Sequence, residues 1–306
     1  MERNWKLAVG AAAIALFAAS GALAAKPAHH GGKAHAASHH EGKGHHGGKH
    51  HGDKADKHGG AGAVARLGGK PNLNGIWQVM NTANWDLEPH DAAQSLVAPE
   101  LLGAIGASPG GLGVVEGGAI PYLPAALEQR ETNRKSAPKA DPEAACYLPG
   151  IPRATYMDHP FQIIQGERGD MLMAYEYDAA NRTIYMQKTE EPPIDTWMGT
   201  SYGQWDGDTL VVTTLGQNGM TWLDRKGDFL SEGDGTKVTE RFTLKDGGHL
   251  WYEATIEDPQ TFSKPWKIAM MLYRNVEPNA ELLDFRCVPF ADDLVYGDVK
   301  PKDAPK

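Results

Sequence analysis

What most constrains this chain is a run of β-type segments separated by tight turns. At its centre the sequence reads Gln204-Trp205-Asp206-Gly207-Asp208-Thr209-Leu210-Val211-Val212-Thr213-Thr214. Asp206-Gly207 predicts a two-residue hairpin, because a type I′ turn needs positive φ at both central residues. The β-branched and apolar residues around it suit a pleated, half-buried surface. The same pattern recurs as Phe161–Gln165, Met171–Tyr177, a turn at Asp178–Asn181, and Arg182–Gln187. It continues as Lys237–Leu244, a turn at Asp246–Gly248, His249–Ile256, Trp266–Tyr273 and a short Leu283–Cys287. Gly75–Gln78 supplies an opening strand. Consecutive tight turns force antiparallel neighbours. About nine twisted strands must close, curl or split into two sheets. The chain is therefore read as mostly β, an antiparallel barrel, with a β-sandwich as the alternative.

The N-terminal region obeys other rules. Arg3 and Lys6 precede an apolar run from Leu7 to Ala19 and then Ala22-Leu23-Ala24, the order of a secretory signal peptide. The run is shorter than the roughly 20 apolar residues that span a bilayer. Residues 1–25 are thus expected to be removed, leaving a periplasmic or secreted protein that is not integral to a membrane. Residues 26–65 form a low-complexity segment with His29, His30, His35, His39, His40, His45, His46, His50, His51 and His58, which are 10 of the 13 histidines. It has no apolar periodicity to offset the entropy of ordering, so disorder is expected. Neutral imidazole suits Zn, Ni and Cu. These ten residues are the candidate metal ligands, and the segment is either a metal binder or a solvated linker.

The folded body is placed at 66–298, with 299–306 as a polar tail. Without residues 1–60 the chain keeps 22 basic and 35 acidic residues, a balance that argues against nucleic acid as a partner. About 240 residues are enough for one substantial core. Residues 82–150 lack strand patterning and form an insertion, a lid or a wrap over a barrel mouth. Helices are expected over about 91–105 and 124–134, flanking a Gly-rich stretch from Gly103 to Gly118. Cys146 and Cys287 in an exported chain are read as a disulfide tying this insertion to the last strand. Two free thiols are the alternative.

Several phrases carry a resemblance. Pro71-Asn-Leu-Asn-Gly-Ile-Trp77 comes first, then Cys146-Tyr-Leu-Pro-Gly-Ile-Pro-Arg153 and Pro160-Phe-Gln-Ile163. Gly203-Gln-Trp-Asp-Gly-Asp-Thr-Leu-Val-Val212 follows, then Trp222-Leu-Asp224, Thr239-Glu-Arg-Phe242 and Asp258-Pro259 ahead of Pro265-Trp266. In this order, over about residues 70–290, the chain resembles a widespread family of exported bacterial proteins. The resemblance implies a lipocalin-like, or calycin-like, barrel whose Gly-x-Trp tryptophan plugs one end, and it implies no particular reaction. Many members of that family carry a His shortly before the Thr-Glu-Arg phrase. Here the place reads Ser231-Glu232-Gly233-Asp234, so chemistry relying on that imidazole is in doubt.

Side chains alternate faces along a strand. Val238, Glu240, Phe242 and Leu244 share a face that should point inward, and Glu176 follows Leu172 and Ala174 in the same way. A buried carboxylate must be paired, or its pKa rises. Glu240 and Glu176 are the candidate catalytic residues by this argument. The alternative for each is an internal salt bridge to Arg182 or Arg153. Trp77, Trp205, Trp222, Trp251, Trp266, Tyr156, Tyr175, Tyr185 and Tyr252 are stock for a core or a pocket wall. The candidate ligand-binding set is Tyr175, Arg182, Trp205, Trp222, Asp224, Arg153 and His159. Asp224 is either a pocket-mouth carboxylate or a turn former. His159, with His90 and His249, is one of the three histidines outside the tail.

No phosphate-cradling Gly-x-x-x-x-Gly-Lys loop or His-Glu-x-x-His pair occurs. Asp206-Gly207-Asp208 lacks the other ligands of a calcium loop. Three functions follow. The first is an exported binding protein for a small, largely apolar ligand, with no cofactor in its folded domain and a His tail that holds Zn, Ni or Cu. The second is a hydrolase, lyase or isomerase using a barrel-interior carboxylate. The third is a metal-buffering protein.

Overall fold

The structure is a computed structural model that describes residues 64–94, 107–232 and 235–291. Residues 1–63, which include the expected signal peptide and the ten tail histidines, and residues 292–306 lie outside the described residues. A small hairpin, β1 (Arg66–Leu67) and β2 (Lys70–Pro71), precedes the nine strands of a closed barrel. These are β3 (Gly75–Val79), β4 (Phe161–Ile164), β5 (Met171–Tyr175), β6 (Asn181–Tyr185), β7 (Thr200–Asp206), β8 (Thr209–Leu215), β9 (Lys237–Leu244), β10 (His249–Glu257) and β11 (Trp266–Arg274). Neighbours around the ring follow chain order, and β11 closes onto β3. Closure excludes the sandwich.

Eight of the nine pairings are antiparallel, and β6–β7 is parallel through Ile184↔Ser201 and Tyr185↔Tyr202. This corrects the all-antiparallel expectation. Residues 186–199 carry the chain back along the barrel before β7 begins, the crossover a parallel pair needs. The β7–β8 turn also differs in detail. Asp206 pairs with Thr209, so Gly207 and Asp208 are the central residues. Only Gly207 has positive φ, +60°, the pattern of a type II′ turn.

The inward faces follow the alternation. On β9, Val238, Glu240 and Phe242 are buried; on β10, Leu250, Tyr252, Ala254 and Ile256; on β11, Trp266, Ile268, Met270 and Leu272. Trp77 is fully buried, its indole N–H donates to the Leu73 carbonyl at 2.9 Å, and the Arg274 guanidinium lies 4.5 Å over its ring. Gly75 has φ +146°, and a Cβ there would come within 3.0 Å of Arg274 Nη1. The Gly-x-Trp phrase thus serves backbone geometry and the close approach of an arginine.

The insertion packs on the barrel end that holds the β10–β11 turn and the long β8–β9 connection. Helix α1 (Pro124–Ser136) is the second expected helix. Of the first, residues 91–94 are non-helical, with Ala93 bridged to Ser108, and 95–105 lie outside the described residues. Residues 114–116 pair with β11: the Ala269 N–H donates to the Val114 carbonyl at 3.0 Å and the Glu116 N–H to the Lys267 carbonyl at 2.8 Å. They cover the half of β11 that β3 does not reach, so the insertion completes the sheet edge as well as capping it. A short helix, α2 (Arg153–Tyr156), follows. Residues 283–287, expected as a last strand, are irregular. They are held to the cap by the Cys146–Cys287 disulfide, which spans 141 residues of sequence. Among the described residues no helix is long and apolar enough to cross a membrane.

Candidate functional site

The barrel interior brings Glu240, Arg182 and Tyr175 together. Arg182, from β6, grips Glu240, from β9, with Nη1 to Oε2 at 2.6 Å and Nη2 to Oε1 at 3.1 Å. The Tyr252 hydroxyl donates to Glu240 Oε1 at 2.9 Å, and the Thr155 hydroxyl does so at 3.3 Å. Ser201 Oγ and Thr214 Oγ1 accept from Arg182 Nη1 at 3.3 and 3.4 Å. Burial, opposed by the Arg182 charge, pushes the Tyr175 phenol up to about 12. A bidentate pair of this kind is geometrically specific. It braces the barrel and commits both Glu240 oxygens.

Arg153, Asp224 and Trp222 lie apart from this pair, in the cap. Arg153 is fully buried and donates to Asp141 at 2.7 and 2.8 Å, to Glu143 at 2.9 Å and to Asn84 Oδ1 at 3.0 Å. It also reaches the Trp222 carbonyl at 3.4 Å. Arg225 donates to Glu143 at 3.0 and 3.1 Å. Burial works against the Glu143 charge, but Arg153 and Arg225 outweigh it and hold that carboxyl below its usual range. Arg130 bridges Glu88 and Asp228, each at 2.6 Å. Asp224 Oδ1 accepts the N–H groups of Lys226, Gly227 and Asp228, and Oδ2 accepts that of Leu87. Burial, then the neighbouring Asp228 and Asp86 carboxylates, hold the Asp224 carboxyl well above its usual range. Burial likewise raises Asp86.

Asp86, Asp224 and Asp228 offer oxygens within 4.8 Å of one another, all buried. Hard cations take oxygen ligands. Here Asp224 is engaged by four backbone N–H groups and Asp228 by Arg130 and the Tyr122 hydroxyl. The trio is therefore an internal charge network in which a retained proton relieves the like-charge repulsion. The turn-forming reading of Asp224 fits this arrangement.

Glu176 and His159 form a third group, on the outer wall. On β5 the inward residues are Met171, Met173 and Tyr175, whereas Leu172 and Ala174 face out. This corrects the inward placement of Glu176. It is buried because residues 282–285 lie over it. His159 Nδ1 is 3.3 Å from Glu176 Oε1, and the Leu283 N–H donates to Oε2 at 2.9 Å. The Phe285 ring centre lies 4.3 Å from that of His159. Beside this pair runs an open groove of about 470 Å³, lined by Leu172, Ala174, Glu176, Ala179, Ala180, Asn181 and Leu282–Phe285, with Tyr175 at its edge.

Trp205 lines a different groove, of about 530 Å³, where β6 and β7 part. Lys70, Arg168, Lys188, Met186 and Gly203 share it, and Lys70 Nζ sits 5.7 Å over the Trp205 ring. Neither groove is lined by Glu240, Arg182, Arg153, Asp224 or Trp222.

Sequence reasoning missed Arg130, Asp141, Glu143, Arg225 and Asp228, because paired charges in irregular segments leave no periodic signal. It also missed the outer groove, since Leu283–Cys287 carries a strand-like pattern. Compared with family models, with curated proteins and with solved structures, the chain matches none.

Proposed function

We propose that this chain is an exported binding protein for a small, largely apolar ligand, seated in the groove between β5–β6 and residues 282–285. The observation that carries the reading is the groove's make-up. Leu172, Leu282, Leu283 and Phe285 form walls, Ala174, Ala179 and Ala180 a floor, and Glu176 a single buried carboxylate beside them. Its volume of about 470 Å³ falls within the roughly 300–1,000 Å³ of small-molecule sites. The interior-carboxylate enzyme reading has less support. A general base must present a lone pair to the substrate, and Glu240 is committed to Arg182, Tyr252 and Thr155. In the same proposal, the histidines from His29 to His58 hold Zn, Ni or Cu in the exported space, independently of the groove. The signal-like N-terminus and the family resemblance support export.

Native mass spectrometry of protein purified from the periplasm of its host tests the reading. The full chain is compared with a deletion of residues 26–60 and with Ala174→Phe, which fills the floor. A discrete organic mass should remain on the first two forms and leave the third. Retention by Ala174→Phe would move the ligand elsewhere. Metal adducts alone, lost with the tail, would hand the function to metal buffering.

A further inference from the structure

We infer that the ligand this groove takes is a single-chain amphiphile with an alkylammonium head, an inference that rests on the groove reading above. The argument is the chemistry of the lining. Among the described residues its charged and amide side chains are Glu176, Asp284 and Asn181, and no Lys, Arg or His lines it. Asn181 gives one Nδ2 N–H to the Ala179 carbonyl at 3.3 Å and keeps Oδ1 and a second N–H. The described wall thus offers carboxylates and a neutral amide to a ligand and no cation.

Glu176 is the centre of that asymmetry. Three other buried carboxylates are held by guanidinium groups, Glu240 by Arg182, Asp228 by Arg130 and Asp141 by Arg153, while Asp224 and Asp258 are held by several backbone N–H groups each. Glu176 has His159 and a backbone N–H. Neither is a permanent cation. A carboxylate has about four acceptor positions, and two donors are in place. A buried carboxylate without a strong counter-charge is costly, and the accessible edge of Glu176 lies in the groove. Asp284, at the exposed rim, has Arg286 at 3.3 Å, a weak surface pair.

An ammonium entering here gains two carboxylates and the Asn181 oxygen, while its alkyl chain lies on Leu172, Leu282, Leu283 and Phe285. The N–H donors of an ammonium find acceptors on the same lining that supplies the apolar side chains. A carboxylate head would meet the same groups as repulsion. A hydroxyl head would gain a hydrogen bond without the charge.

Titration calorimetry on the full chain at neutral pH, with decylamine, decanol and decanoate as probes, tests the inference. Decylamine should bind about tenfold more tightly than decanol, and decanoate should not bind the groove. Glu176→Gln keeps an oxygen for the Leu283 N–H and removes the charge. It should bring decylamine close to the decanol affinity, with a much larger loss for decylamine than for decanol. Asp284→Asn, at an exposed site with little bearing on folding, should weaken decylamine about two- to threefold. Equal affinities for amine and alcohol, or tighter binding of decanoate, would overturn the alkylammonium assignment and leave the groove in place. Unchanged binding of every probe in Ala174→Phe, or no binding of any probe, would overturn the groove itself.

Discussion

Replacing Glu240 with Gln removes one charge and almost no volume from the centre of the barrel. The Tyr252 and Thr155 hydroxyls, which donate to Oε1 at 2.9 and 3.3 Å, keep an amide oxygen to donate to. Arg182 loses the counter-charge and the Oε2 acceptor at 2.6 Å, and keeps only neutral oxygens, the amide oxygen at the Oε1 position and Ser201 Oγ and Thr214 Oγ1 at 3.3 and 3.4 Å, beside the Met173 sulfur. It is 4 % exposed, so water cannot take over. Stranding one member of a buried pair costs about 3–5 kcal/mol. Adding Arg182→Met withdraws the stranded charge, and apolar replacement of buried pairs is often neutral. The double mutant should therefore recover most of the loss, with a coupling of about 2–3 kcal/mol in the cycle. Urea unfolding of the oxidised protein, followed by tryptophan fluorescence, reads both. With a slope of about 2–3 kcal/mol per molar, Glu240→Gln should lower the midpoint by about 1–2.5 M. A shift below about 0.3 M at unchanged slope would mean that Arg182 reaches water or another anion. The filled, braced interior argued for above would then be wrong.

Three further outcomes follow from other parts of the molecule. Cys146→Ser with Cys287→Ser opens a closure of 141 residues, for which chain entropy gives an upper value of about 4–5 kcal/mol; the double variant should unfold at lower urea and lose amphiphile binding, and intact binding would show that residues 282–285 hold the groove without the disulfide. The Asp224 carboxyl lies well above its usual value of 3.8 when folded, so the folded chain retains a proton that the unfolded chain releases. Its stabilising contribution is full below about pH 4 and is lost as pH rises through the folded pKa; the urea midpoint of the native protein should fall relative to that of Asp224→Asn over this range, and parallel pH profiles would refute the raised carboxyl. A Cβ at Gly203 would come within 2.6 Å of both Ile184 Cγ2 and Met186 Sδ, so Gly203→Ala should cost about 1–3 kcal/mol and raise hydrogen exchange along β6 and β7; unchanged exchange there would show that the parallel seam yields freely.

Alternation within β9 is legible without a structure. It places Val238, Glu240 and Phe242 on one inward face, and all three are fully buried. The turn-bounded strands also predict a barrel of about nine, because that many twisted strands must close or split. The same local signals fail on β5. Leu172 and Ala174 are apolar, and so are Met171, Met173 and Tyr175, so periodicity cannot say which set faces in. Leu172 and Ala174 are on the outer wall, where residues 282–285, more than a hundred positions later, line the same groove, while Met171, Met173 and Tyr175 take the core. Nor does local sequence prefer Arg182 to Arg153 as the partner of Glu240. Ring closure puts β6 within reach of β9, while Arg153 is engaged by Asp141 and Glu143 in the cap.

By itself, then, the sequence of this chain determined most of the strands, the inner face of β9, the hairpin spacing and the pair of cysteines. These rest on two-residue periodicity and on turn dihedrals, interactions that reach only a few positions along the chain. Tertiary structure alone decided the parallel β6–β7 seam, the choice between Gly207-Asp208 and Asp206-Gly207 as turn centre, the guanidinium–carboxylate pairings and the outer groove. Each of those depends on which distant segments meet. That is settled by burial of the whole barrel against the entropy of closing long loops, a balance that no window of local sequence contains.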